Sequence, residues 1–121
     1  DEKLVDYVAM DIKGPLFKYQ EITNTKINVS LIEESVKILK QSNINYEFRT
    51  TVVKNLLTPQ DIIDISEWLK GAKAYYLQRF DNENKMLDAE YKKVKSYTPD
   101  ELKEMLDTIK HNFQKTGIRG I

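Results

Sequence analysis

The sequence predicts an α/β domain shaped as half of a (βα) barrel, and three observations lead there. Three strand-like runs alternate with three amphipathic helical runs, the order expected of βαβ crossovers on a parallel sheet. Two of the helical runs open on the same start signal, Thr58-Pro59-Gln60-Asp61 and Thr98-Pro99-Asp100-Glu101: a hydroxyl cap, a proline in the first turn and an acid near the positive end of the helix. The first strand-like run closes on Asp11 and Lys13 before the turn Gly14-Pro15. Side chains alternate along a strand, so that acid and that base share a face at its carboxyl end, where α/β folds place ligand sites.

The first strand is expected over Val5–Lys13, with Val8, Met10 and Ile12 on one face and Tyr7, Ala9, Asp11 and Lys13 on the other. A polar loop through Tyr19–Lys26 leads to a helix whose Leu31, Ile32, Ser35, Val36, Ile38 and Leu39 recur at helical spacing. Ser30 with Glu33 reads as its capping box and Asn43 as its left-handed stop. The second strand runs from Tyr46 to Val53. Tyr46, Phe48, Thr50 and Val52 point one way; Glu47, Arg49, Thr51 and Val53 point the other. The helix begun by Thr58 buries Ile62, Ile65, Trp68 and Leu69 and ends at Gly71.

The third strand covers Ala74–Phe80, dividing Tyr75, Leu77 and Arg79 from Tyr76, Gln78 and Phe80. From Asp81 to Tyr97 the chain is charged and poor in structural signals, a length that favours a functional or mobile loop. Leu102, Met105, Leu106, Ile109 and Phe113 carry the last helix, and Ile118–Ile121 begins one more short strand. A small parallel sheet leaves its edges unpaired and one face uncovered, so the domain is expected to be part of something larger: a slice of a barrel or one partner of an assembly. Opening on Asp1-Glu2-Lys3-Leu4 fits an interior segment of a longer polypeptide. Exposed strand edges also predict self-association.

Composition narrows the function. The 121 residues form one domain, with 19 Lys plus Arg against 19 Asp plus Glu, so no net charge draws the chain to nucleic acid or an anionic membrane. No apolar run approaches the roughly 20 residues of a membrane helix, and no signal peptide opens the chain, which suggests a cytoplasmic protein. The absence of cysteine excludes disulfides and any cysteine-held zinc or iron–sulfur site on these residues. His111, the sole histidine, lies between Lys110 and Asn112 and is expected to face solvent, so no Ser-His-Asp arrangement can be built. The tyrosines and phenylalanines are read as helix-to-sheet core, because no basic stripe accompanies them. Lys92, Lys93 and Lys95 read as a solvated face that could also meet a partner.

With the apolar positions turned to the helices, the other faces collect Asp11, Lys13, Glu47, Arg49, Thr51, Tyr76 and Gln78. Such a polar face is either an internal ion-pair network or the lining of a wet pocket. Asp11 and Lys13 together suit a zwitterionic ligand, and Arg49 adds a bidentate anion donor.

The stretches Asp6-Tyr7-Val8-Ala9-Met10-Asp11-Ile12-Lys13-Gly14-Pro15, Asn45-Tyr46-Glu47-Phe48-Arg49-Thr50-Thr51-Val52-Val53 and Tyr75-Tyr76-Leu77-Gln78-Arg79-Phe80, with the closing Gly117-Ile118-Arg119-Gly120, resemble the C-terminal half of radical S-adenosylmethionine activating enzymes. The likeness is greatest to anaerobic ribonucleoside-triphosphate reductase activating proteins; the pyruvate formate-lyase activating enzyme is more distant. It implies a partial TIM-like barrel that binds a [4Fe–4S] cluster and S-adenosylmethionine. Reductive cleavage of that cofactor gives a 5′-deoxyadenosyl radical, which takes hydrogen from a glycine of the partner, a glycyl-radical enzyme such as anaerobic ribonucleotide reductase. The resemblance places Asp11, with the Met10 carbonyl, at a monovalent cation beside the cofactor, and Lys13 at the cofactor's methionine end. It adds Arg49 and Gln78 as further cofactor-binding residues. Asp81 stands where the pyruvate formate-lyase relative carries a histidine, so that contact is not transferred. The family's CxxxCxxC and its glycine-glycine-glutamate motif lie in the other half and are missing from these 121 residues. The chain is therefore expected to carry half a cofactor pocket, no cluster and no radical-generating activity of its own. The alternative from another class is a non-enzymatic α/β ligand-binding or interaction module that reuses a half-barrel.

Overall fold

A computed structural model describes residues 7–19, 29–54, 56–80 and 96–120. Among these residues four strands form one sheet: β1 (Tyr7–Asp11), β2 (Asn45–Val52), β3 (Ala74–Arg79) and β4 (Lys115–Arg119). They lie in the order β1-β2-β3-β4, and every pairing is parallel. Among the described residues three α-helices alternate with them: α1 (Val29–Gln41), α2 (Pro59–Trp68) and α3 (Pro99–Ile109). An all-parallel sheet with a helix in each connection is compatible with a segment of a (βα) barrel.

The core lies between the sheet and the helices. Tyr46, Phe48 and Val52 of β2 and Tyr75 and Leu77 of β3 meet Val36 of α1, Ile62 and Ile65 of α2, and Leu102, Met105 and Ile109 of α3. Alternation assigns these strand faces inward and helical spacing the stripes of α2 and α3. Leu31 and Ile38 of the stripe expected on α1 are instead exposed and Val36 is its buried member, because this helix lays only one edge of its apolar face on the sheet. Each fully buried side chain contributes on the order of 2 kcal/mol. The aromatic residues fill this layer as expected, with Tyr46 and Phe48 ring centroids 5.2 Å apart and Tyr75 and Phe113 5.1 Å apart. Thr50 is the polar member of the stripe; its Oγ1 accepts the buried Tyr75 hydroxyl at 2.6 Å.

Both Thr-Pro start signals form full capping boxes. Thr58 Oγ1 accepts the Asp61 amide while the Asp61 carboxylate accepts the Thr58 amide, and Thr98 and Glu101 repeat the exchange on α3. Gly71, at φ +90, makes the turn after α2, a conformation that residues with a Cβ adopt at a cost. The Ser30–Glu33 box is not where α1 begins, because Ser30 already lies inside a helix that includes Val29. At the other end, Ser42 donates to the Leu39 carbonyl at 2.8 Å and accepts the Ile44 amide at 3.3 Å.

The last strand starts at Lys115 rather than Ile118. Main-chain bonds from Gly71 to the Asn112 carbonyl, 2.8 Å, and from Lys115 to the Lys73 carbonyl, 3.0 Å, align the chain beside β3 before its apolar residue is reached. Tyr97, placed by the sequence in a structure-poor segment, is buried and donates to the Leu57 carbonyl at 2.7 Å, while Ser96 bridges Val53. The remainder of that segment, including Lys92, Lys93 and Lys95, lies outside the described residues, as does most of the Tyr19–Lys26 loop. No helix among the described residues is long and apolar enough to cross a membrane.

Candidate functional site

The face of the sheet turned away from the helices carries the polar side chains. Alternation puts Tyr7, Ala9 and Asp11 there from β1, Glu47, Arg49 and Thr51 from β2, Tyr76 and Gln78 from β3, and Gly117 and Arg119 from β4. Register then makes neighbours of residues far apart in sequence. Asp11 pairs with Arg49 and Arg49 with Tyr76; one step toward the carboxyl ends, Thr51 pairs with Gln78 and Gln78 with Arg119. Adjacent strands lie about 4.8 Å apart, so Asp11, Arg49 and Gln78 form one cluster at the carboxyl end of the open face. Lys13 stands just past β1, its ammonium donating to the Asp11 carboxylate.

Glu47 organises this face in a way its strand position alone does not reveal. Its side chain is 3% exposed, and Arg119 grips it with two bonds, Nη1 to Oε2 at 2.5 Å and Nη2 to Oε1 at 2.8 Å. The Tyr7 hydroxyl donates to Oε1 at 2.5 Å, so one carboxylate ties β1 and β4 to β2. Burial pushes the Glu47 carboxyl up, but the Arg119 and Tyr7 hydrogen bonds and the nearby guanidinium charges outweigh it and hold the group below its ordinary value. Burial and the same carboxylate push the Tyr7 hydroxyl up to about 12. Arg119 also lies 4.0 Å from the Tyr76 ring centroid, and a Cβ on Gly117 would come within 3.0 Å of that ring.

These pairings set the charge left over for a ligand. Asp11 is matched by Lys13, and Glu47 by Arg119. The Arg49 side chain is exposed and makes no hydrogen bond or salt bridge among the described residues, which makes it the unmatched cation of the described site. A ligand carboxylate can take both arms of that guanidinium while a ligand ammonium faces Asp11. Met10 turns its side chain toward the core, so only its carbonyl could serve a cation beside Asp11. Gly120 approaches Gln78 closely: at its φ of +80, an added Cβ would lie 2.5 Å from the Gln78 amide nitrogen.

Of the cofactors implied by the resemblance, the amino-acid end of S-adenosylmethionine fits this donor set. An iron–sulfur cluster does not fit these residues, because no thiolate is present in the chain. No group of three or more His, Asp or Glu side chains suited to a metal ion occurs among the described residues. His111 is exposed in the turn after α3, away from the polar cluster on the opposite face.

Over 123 aligned residues the chain is 32% identical to a Methanocaldococcus jannaschii protein named as a glycyl-radical enzyme activating enzyme. It resembles half of such an activating enzyme. The alignment takes in 98% of this chain and 51% of the relative, so the chain spans about half the length of the curated protein it matches. That alignment extends over the stretch of chain that holds all four strands and both capping boxes. No family model matches the chain, and no solved structure matches it.

Two features of the site escaped the sequence reading. Alternation turns Glu47 to the open side without marking it as the hub of that face, and Arg119 stands out in the sequence only within the closing Gly-Ile-Arg-Gly run. Alternation within each strand turns Tyr7 and Glu47 to the polar side, a signal the sequence holds; the register that brings Arg119 to them is a property of the sheet.

Proposed function

We propose that residues 1–121 are a single half-barrel unit, the C-terminal half of a radical S-adenosylmethionine activase that acts on a glycyl-radical enzyme such as an anaerobic ribonucleotide reductase. The observation that carries this reading is the near full-length similarity to half of a named activating enzyme, on a sheet whose open face gathers Asp11, Lys13, Arg49 and Gln78. When bound, the cofactor supplies the hydrogen-abstracting group. This chain's share of the work is binding and orientation. Asp11 and the Met10 carbonyl hold a cation or the ligand ammonium, Arg49 and Lys13 take its carboxylate, and Gln78 lines the adjoining row. The cluster and its reductive chemistry belong to protein outside these residues, so the chain by itself binds cofactor without turning it over.

Calorimetric titration of S-adenosylmethionine into the chain tests this. Weak saturable binding is expected, reduced about tenfold or more by Arg49→Gln and by Asp11→Asn, as loss of a charge-assisted bond predicts. Binding that both variants leave unchanged, or no binding by the unaltered chain, would sink the assignment.

A further inference from the structure

We propose that Tyr19 is a positioning residue for Asp11 and Lys13, and that the Lys18–Asp61 ion pair anchors it; the functional half of this statement rests on the reading of Asp11 and Lys13 as ligand-binding groups. The sheet cannot position Lys13, because β1 ends at Asp11 and the last main-chain bond from this strand is Ile12 to the Arg49 carbonyl, 2.7 Å. One residue further, the Lys13 amide would be left to solvent. It donates instead to the Tyr19 hydroxyl at 3.1 Å, and that hydroxyl is directed at the Asp11 carbonyl, 3.5 Å away. A single phenol oxygen thus touches the main chain of both candidate binding residues.

The geometry between them makes the contact an orienting one. Ile12 is fully buried, so its side chain pins the segment inward while Asp11 and Lys13 point to the open face. Tyr19 holds the peptide on the far side of that pin. The chain reaches Tyr19 by reversing through buried Gly14 and Pro15 and a short 3-10 turn, Leu16–Lys18, closed by the Lys18 amide on the Pro15 carbonyl at 2.9 Å. Lys18 then extends to Asp61 at 2.7 Å. Asp61 is itself fixed, since its carboxylate accepts the Thr58 amide at 2.9 Å in the α2 capping box. Phenylalanine would fill the core at position 19 as well as tyrosine does. The hydroxyl is therefore explained by the two main-chain groups it meets and not by packing.

Tyr19→Phe in the 121-residue chain isolates the hydroxyl. Amide hydrogen exchange followed by NMR should show the Lys13 amide exchanging about tenfold faster, while the Ile12 amide stays within about twofold of the unaltered chain. Lys18→Met, which loosens the turn and leaves the hydroxyl in place, should raise Lys13 exchange by a smaller factor. S-adenosylmethionine affinity should fall about three- to tenfold in Tyr19→Phe. Unchanged Lys13 exchange in both variants, or Lys13 and Ile12 rising together, would overturn the positioning role. Altered Lys13 exchange in a chain that binds no S-adenosylmethionine would instead support the positioning geometry and refute the cofactor reading.

Discussion

Replacing Arg119 by methionine strips the buried Glu47 carboxylate of its bidentate partner and leaves it a single donor, the Tyr7 hydroxyl. Breaking a fully buried ion pair from one side costs about 3–5 kcal/mol. Here Glu47 is 3% exposed but Arg119 is 41% exposed, so water screens the pair from the β4 side. The expected loss is therefore smaller, about 2 kcal/mol. For a domain of this size that corresponds to a fall of about 6–8 °C in Tm. Urea unfolding followed by circular dichroism measures the difference. Adding Glu47→Met removes the stranded charge, so the double variant should recover to within about 1 kcal/mol of the original. The pH dependence gives an independent check. Glu47 titrates below its ordinary value in the folded chain, so its stabilisation is present above the unfolded carboxyl value of about 4.3 and lost as pH falls through the lowered folded value. Glu47→Gln should flatten that acid limb. An Arg119→Met chain within about 0.5 kcal/mol of the original, or a double variant less stable than the single, would refute the assignment of Glu47 as the hub of this face.

Thr58→Ala removes one half of the α2 capping box and should cost about 1–2 kcal/mol in urea unfolding; a change near zero would mean that the Lys18–Asp61 pair alone holds the helix start. Thr50→Val leaves the buried Tyr75 hydroxyl without its acceptor, at about 1–3 kcal/mol, and adding Tyr75→Phe should regain most of it in thermal unfolding. Gly120→Ala combines a positive φ with a collision on Gln78, so it should cost about 1–2 kcal/mol and shift the Gln78 side-chain amide resonances; unmoved resonances would show that Gly120 does not fix that side chain. Among the described residues no strand pairs with the outer edges of β1 and β4, which predicts self-association of the chain, and light scattering that gives a clean monomer at high concentration would contradict it.

Much of the molecule is written in local pattern. Alternation along Tyr46–Val53 and Ala74–Phe80 identifies both strands and which side chains reach the core, because a period of two has only two faces to choose between. The Thr-Pro signals locate α2 and α3 because a cap and its third residue interact within one turn. Ser30 misled for the same reason: its side chain has cap chemistry, but nothing local says whether the helix has already begun. Lys115-Thr116-Gly117 offered no apolar alternation, and its strand is set by main-chain pairing to β3.

What the sequence by itself determined is the βα alternation, the inward faces of β2 and β3 and the inward stripes of α2 and α3, and the shared face of Asp11 and Lys13, all consequences of short-range geometry. Only the tertiary structure decided that Arg119, 72 residues away, takes Glu47 and so leaves the Arg49 side chain without an ion-pair partner among the described residues. It alone brought the Tyr19 hydroxyl back onto the Asp11–Lys13 main chain. Both depend on register between strands and on the path of a turn, which arise when separate segments pack and are carried by no single stretch of residues.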